Sequence, residues 1–169
     1  KNAVGEDDIK DGDTQKVQLS EMTYILFKLK DEEIYFSCAT LRPDALFGTT
    51  NLWINPNLKH ALLEVEGRKW IVTKDAQVKV EHQFANTNFI QEIDVKKYLG
   101  KEVEVPLLNR NVPIAKADFI DSDHGTGIVY SSPAGSPDDY LSLKAAQEDG
   151  RLSKDIKVIL TVETKDKKG

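Results

Sequence analysis

The chain has 169 residues, the usual size of one domain, and a chain of that length buries about 70% of its unfolded surface, enough for a sizeable core. Its 23 basic residues are outnumbered by 28 acidic ones, for a net charge of −5, and Lys and Arg are scattered rather than gathered in one run. A protein that tracks a nucleic-acid backbone needs a basic face, so this balance allows a grip on the end of a nucleic acid at most.

Residues 1–16 are rich in Asp, Glu and Gly, show no apolar period and read as an exposed lead-in. Residues 22–30 and 34–39 are apolar and β-rich on either side of Asp31-Glu32-Glu33, which predicts a hairpin. Further short strands are predicted at 51–54, 60–66, 69–73, 88–94, 101–105, 112–120, 127–131 and 156–162. Two helices interrupt them. Residues 74–85 set Ala76, Val80 and Phe84 four apart on one face, and residues 137–149 carry Leu141, Ala145 and Glu148 on a similar spacing, with Leu143 and Ala146 widening the stripe. The second helix has a marked start: Ser136 is a good N-cap, Pro137 fits the first helical position, and Asp139 stands where a capping-box acid reaches back. Gly150 supplies the stop. Residues 163–169 read as a solvated tail, so the body of the domain spans 17–162. Many short strands separated by turns predict an α+β fold with a β-barrel-like core and a few peripheral helices.

No apolar run approaches the ~20 residues needed to cross a bilayer, and no signal peptide is evident. Cys38 is the single cysteine, which suits a reducing compartment, and in its strand-like run it reads as a small buried residue rather than a reactive thiol. His60, His82 and His124 show no metal-ligand spacing, and His124 reads as a turn residue. The chain opens on Lys1 instead of Met and is expected to be a piece of a longer protein.

Two segments about ninety residues apart carry the chemistry. The first is Thr40-Leu41-Arg42-Pro43-Asp44-Ala45-Leu46-Phe47-Gly48, followed by Thr50-Asn51-Leu52-Trp53-Ile54-Asn55-Pro56. The second is Gly125-Thr126-Gly127-Ile128-Val129-Tyr130, continued by Pro133 and by Gly135-Ser136-Pro137-Asp138-Asp139-Tyr140. Taken on its own, each has an ordinary explanation. Thr at a strand end is usually structural, Arg beside Pro is usually solvated, Gly-Thr-Gly makes a tight hairpin, and an acid at Asp139 suits a helix cap.

In order and spacing, the pair resembles the editing insert of leucyl-, isoleucyl- and valyl-tRNA synthetases, and Thr-Leu-Arg-Pro with the Trp53 segment is most similar to leucyl enzymes of the archaeal and eukaryotic type. The resemblance implies hydrolysis of the ester between a wrong amino acid and the ribose of leucine tRNA. Such an ester is already activated, so its cleavage needs an oriented water and a held substrate more than a strong nucleophile. On that resemblance Asp139 anchors the substrate's α-ammonium, Thr40 orients the water or the carbonyl, and Arg42 contacts the tRNA end or nearby carboxylates. Leu41, Ala45, Gly125, Thr126, Gly127, Tyr130, Ser132 and Ser136 fall at pocket positions, and neither cofactor nor metal is implied.

The chain departs from the family at Ala45, where Thr is usual, and at Gly135 and Ser136, where a His or an acid is common. These changes bear on discrimination between amino acids more than on hydrolysis. Neither nucleotide-binding signature of those synthetases, of the HIGH and KMSKS type, occurs in the chain. The implied partners are the 3′-terminal aminoacyl-adenosine of leucine tRNA and the rest of the parent synthetase, with no membrane, a cytoplasmic location and a monomeric isolated domain. The alternatives are a non-catalytic insert that positions the tRNA end, or the editing insert of a valyl or isoleucyl enzyme.

Overall fold

A computed structural model describes residues 22–122 and 124–152. The expected lead-in, the strand at 156–162 and the tail lie outside the described residues.

Alternation of apolar and polar residues sets the first hairpin. β1 (Thr23–Leu29) turns Ile25, Phe27 and Leu29 inward, and it pairs antiparallel with β2 (Ile34–Thr40) from Thr23↔Thr40 to Lys28↔Tyr35. After a 3-10 turn at Pro43–Gly48 comes β3 (Asn51–Ile54), whose four residues are all buried. β4 (His60–Val65) and β5 (Arg68–Thr73) form a hairpin through Glu66 and Gly67. Both turn residues have positive φ, 50° and 77°, as a two-residue hairpin turn of this hand demands. α1 (Lys74–Gln83) follows, then β6 (Thr87–Ile93), a 3-10 turn at Val95–Tyr98, β7 (Glu102–Glu104), β8 (Asn111–Lys116), β9 (Ile128–Ser131) and α2 (Pro137–Glu148).

The nine strands make one mixed sheet in the order β6-β4-β5-β2-β1-β7-β8-β3-β9. Most neighbours are antiparallel; β2–β5 and β3–β8 are parallel. The sheet curls until β9, one edge, lies against β2, and this contact is made by side chains rather than by a ladder. The fold is therefore α+β and barrel-like, without full closure. Its interior holds Phe27, Phe36, Leu52, Tyr98, Ile114 and Tyr130, among others. α1 covers β4 and β5 with Ala76 and Val80, as its spacing predicts, and Phe84 closes that face edge-on against Tyr24 and Trp70. Cys38 is buried, and burial pushes its thiol pKa up, consistent with a packing residue.

Two expectations need correction. The strand foreseen over 112–120 stops at Lys116, because the Asn55 amide takes the carbonyls of Asp118 and Ile120, at 3.5 and 3.1 Å, and turns the chain away from the ladder. In α2 the inward stripe is Leu143 and Ala146, whereas Leu141, Ala145 and Glu148 face outward, with Leu141 64% exposed. Among the described residues no helix is long and apolar enough to cross a membrane.

The corrected phase of α2 is testable by unfolding in urea. Leu143→Ala should cost about 2–5 kcal/mol, the range for truncating a buried Leu, while Leu141→Ala stays within about 0.5 kcal/mol of wild type. Equal losses at the two positions would return the helix to the phase read from its spacing.

Candidate functional site

The two motif segments meet where β9 crosses the end of β2. Thr126 starts the junction: it is 1% exposed, and its hydroxyl donates to the Ser37 carbonyl of β2 at 2.6 Å. The loop before β9 is locked from the other side by Thr73, whose backbone N–H and hydroxyl reach the Thr126 carbonyl at 2.9 and 3.2 Å. Gly127, at φ 69°, packs directly on the Thr73 side chain, where any Cβ would overlap it. His124 accepts the Gly127 N–H at 2.9 Å and is a turn residue, as read from sequence.

One strand further, the Tyr130 hydroxyl lies 2.7 Å from the Arg42 carbonyl and 3.2 Å from Thr40 Oγ1. A phenol has a single proton and the carbonyl has none, so Tyr130 donates to Arg42 and receives the Thr40 hydroxyl proton in turn. Thr40 Oγ1 also accepts the Arg42 N–H at 3.0 Å. The result is a closed ring of three hydrogen bonds that fixes the strand-to-turn corner and leaves Thr40 an acceptor lone pair. Burial pushes the Tyr130 pKa up, which keeps the phenol a donor, and the Thr40 contact opposes that rise. The Arg42 guanidinium is 68% exposed and pairs with Asp44 at 2.9 Å, the contact that raises the Arg42 pKa and lowers that of Asp44.

Beyond β9 the chain turns back into α2. Ser136 caps the helix, accepting the Asp139 N–H at 3.3 Å, with Pro137 in the first helical position. The reciprocal arm of the expected capping box is not made: Asp139 reaches past the cap, and its Oδ2 accepts the Ser132 N–H at 2.7 Å. Its other oxygen takes no hydrogen bond, and no cation pairs with it, among the described residues. Burial, the largest influence, raises the Asp139 pKa above its ordinary 3.8; the Ser132 N–H works against the rise and Asp138 adds to it.

Gly48, the last residue of the first motif, lies so close to Ser132 Oγ that a Cβ there would collide with it. Residues 130–132 thereby join Thr40, Arg42, Gly48 and Asp139 into one network. Gly135 closes the turn after Ser132 by donating to its carbonyl at 2.9 Å. Ala45 lies half-buried against the main core, Leu41 is 59% exposed, and a side chain added at Gly125, which has φ 59°, would face Ala39. Of the pocket positions expected from sequence, Thr126 spends its hydroxyl on β2 and Ser136 spends its own on the helix cap. Arg110 was not foreseen: its Nη2 donates to the Phe47 carbonyl at 2.8 Å, sixty-three residues away in sequence, and no local pattern marks it. A groove of about 1000 Å³ lies beyond the 3-10 turn beside Phe47, Leu107 and Arg110 and includes none of Thr40, Arg42, Tyr130, Ser132 or Asp139. Convergent polar groups, not volume, mark the site. No three His, Cys, Asp or Glu side chains among the described residues converge on a metal position.

The family model for the leucyl-tRNA synthetase editing domain matches residues 17–168. The chain belongs to that family. It is 39% identical over 148 residues to the leucine–tRNA ligase of Archaeoglobus fulgidus, covering 88% of this chain and 16% of that one. It is 44% identical over 146 residues to the enzyme of Staphylothermus marinus, covering 85% of this chain and 15% of that one. The chain thus spans about a sixth of the curated relatives it matches. Among solved structures it resembles GlLeuRS-CP1, at TM-score 0.69 and 27% identity over 76% of this chain and 61% of that one. The P. falciparum cytosolic leucyl-tRNA synthetase editing domain shares the fold, at TM-score 0.60 and 19% identity over 72% of this chain and 49% of that one. The leucyl family replaces the valyl and isoleucyl alternative.

The buried charge of this editing-domain chain has a stability consequence. A raised folded pKa means that the folded state holds the Asp139 proton more tightly than the unfolded chain, so stability falls as pH rises from 3.8 through the raised value, and the full deficit is present above it. Asp139→Asn keeps an oxygen for the Ser132 N–H and removes the charge. Its urea midpoint at neutral pH should equal or exceed that of wild type, with the advantage lost below pH 3.8; a lower midpoint at neutral pH contradicts this account.

Proposed function

We propose that the domain hydrolyses the ester linking a wrong amino acid to the 3′-terminal adenosine of leucine tRNA, as the second sieve of a leucyl-tRNA synthetase. One observation carries the reading: Asp139 is a half-buried carboxylate with one oxygen pinned by the Ser132 N–H and no cation among the described residues to neutralise it. Such a group is costly unless a cation arrives, and the α-ammonium of an aminoacyl ester is a cation of the right size. Helix capping does not account for the carboxylate, since Ser136 performs it.

With the ammonium held, the ester carbonyl is placed near the 40–42 corner. The remaining lone pair of Thr40 accepts a proton of the attacking water and orients it, and Arg42 meets the negative charge of the tRNA end. The family and the relatives' names support the synthetase context, with the rest of that enzyme and the tRNA end as partners in the cytoplasm. Norvaline, isoleucine and methionine are the expected errors, because one methylene in an apolar pocket discriminates by only about 1–3 kcal/mol, too little for a single selection step. A second reading, an insert that only positions the tRNA end, draws on the commitment of the Thr40 proton to Tyr130, which deprives Thr40 of a donor.

Deacylation separates the two. In the parent synthetase, Asp139→Ala should leave leucine activation intact and abolish hydrolysis of norvalyl-tRNA. Removing one member of a desolvated charge pair costs about 3–5 kcal/mol, or roughly two to four decades in rate. Deacylation at the wild-type rate by that variant would leave only the positioning role.

Ala45 tests the sieve itself. Where Thr is usual, the smaller side chain opens space for a leucine γ-branch, and Leu46 and Tyr130, which belong to the cluster Ala45 packs against, are the residues expected to compensate. The ratio of leucyl- to norvalyl-tRNA hydrolysis is therefore expected to be low in wild type and unchanged in Ala45→Thr. A ratio near one that falls in Ala45→Thr would show a sieve that leaks leucine.

A further inference from the structure

Beneath the first turn of α2 lie two buried polar side chains that each leave a polar atom without a hydrogen-bond partner among the described residues. Asn51 and Ser131 stand directly opposite each other in the β3–β9 ladder, and both are 0% exposed. Asn51 Oδ1 accepts the Thr50 hydroxyl at 2.9 Å, but among the described residues its Nδ2 meets no acceptor and Ser131 Oγ has no partner. Turning the amide over only exchanges which of its ends is left alone. Strand alternation fixes their direction: Leu52, Ile54, Ile128 and Tyr130 pack in the main core, whereas Trp53 and Val129 pack with Leu143 and Ala146 of α2. Asn51 is in step with Trp53, and Ser131 with Val129, so both face α2. Asp139 precedes Leu143 by one turn on the same side of that helix, and it is bonded to the N–H of the residue after Ser131.

Two opposed residues of this kind carry Cβ atoms about 5 Å apart, yet their polar ends do not bond each other. A buried donor and a buried hydroxyl left unsatisfied are costly, and a structural water with about three partners is the usual remedy in a polar hole. We propose that Asn51 Nδ2, Ser131 Oγ and the second oxygen of Asp139 share one internal water, and that Asn51 and Ser131 are positioning residues for the carboxylate that takes the substrate's ammonium. The inference rests on the role given to Asp139 above. The water is a fixture beneath the anchor, out of reach of the ester, and it differs from the water that attacks the carbonyl. By donating to the carboxylate it steadies the charged form and holds the group in one rotamer.

A crystal structure of the chain at a resolution that shows ordered water, together with the Asp139 carboxyl titration followed by NMR, tests the proposal. One water within about 3.2 Å of all three groups is expected; a dry hole, or a water that misses Asp139, overturns it. Ser131→Ala should move the Asp139 titration midpoint upward and Ser131→Thr restore it, which a purely structural serine would not do. In the parent synthetase, Ser131→Ala should raise KM for norvalyl-tRNA about fivefold, the size of one net hydrogen bond, with kcat unchanged. If Asp139→Ala abolishes deacylation while Ser131→Ala moves neither the titration nor KM, the positioning role fails and the editing reading stands. If Asp139→Ala has no effect on deacylation, the editing reading fails first. Should Ser131→Ala not fold, the wild-type water decides alone.

Discussion

Everything at the site depends on β9 being held across the end of β2, and side chains do the holding. The Thr126 hydroxyl on the Ser37 carbonyl and the Tyr130 hydroxyl on the Arg42 carbonyl are both bonds to backbone across some ninety residues of sequence. The β5 ladder stops at Phe36, so from Ser37 onward β2 is paired with β1 alone, and no ladder joins its open side to β9. Side-chain donors are the remaining way to satisfy the facing carbonyls, and buried carbonyls are seldom left bare. Tyr130 does this with its ring in the core, 5.7 Å from that of Phe27, so the same residue packs the barrel and closes the site. A phenylalanine there would keep the packing and release the corner.

Burial acts on Asp139 in two opposed ways. Desolvation raises its pKa and destabilises the charged form, while the Ser132 N–H restores part of the loss. The balance leaves a carboxylate that is ionisable but underpaired, which is the state in which an arriving ammonium gains most. Had a lysine or arginine stood beside it, the ion pair would already be satisfied and substrate would have to displace it. The exposed Arg42–Asp44 pair shows the contrast: 68% and 66% exposed, it is worth little to the fold, and in the proposed function Arg42 trades that partner for a phosphate.

Much of this arrangement was legible in the sequence because it is local. Strand and helix boundaries followed apolar alternation and turn residues, and the start of α2 at Ser136-Pro137 followed capping chemistry. The phase of α2 did not, since Leu141, Leu143, Ala145 and Ala146 spread around the helix and two stripes fit the same spacing. What sets the phase is the bond from Asp139 to the Ser132 N–H: it turns position 139 inward, and Leu143 and Ala146 then follow on that face. Thr73 on the 122–126 loop, Arg110 on Phe47 and the unpartnered pair Asn51 and Ser131 are long-range, and nothing in their local sequence distinguishes them from ordinary strand or loop residues.

That dependence also leaves the acid of the first turn available for the role proposed for it. A capping-box acid that reached back to the N-cap residue would spend its oxygens on the helix. Here Ser136 satisfies one of the first N–H groups of α2, and Pro137 has none to satisfy. Asp139 is thereby released to reach Ser132, while its carboxylate still lies over the first turn, where the helix dipole favours negative charge. The helix start stabilises the ionised form from one side and burial opposes it from the other, so the position of the first turn relative to β9 sets how strongly the carboxylate draws a cation. Gly48 of the first motif packs against the Ser132 side chain, whose hydroxyl would have to swing aside to admit a Cβ there. The two segments thus meet at Ser132: one supplies the missing side chain that lets it approach, the other the carboxylate that its N–H holds.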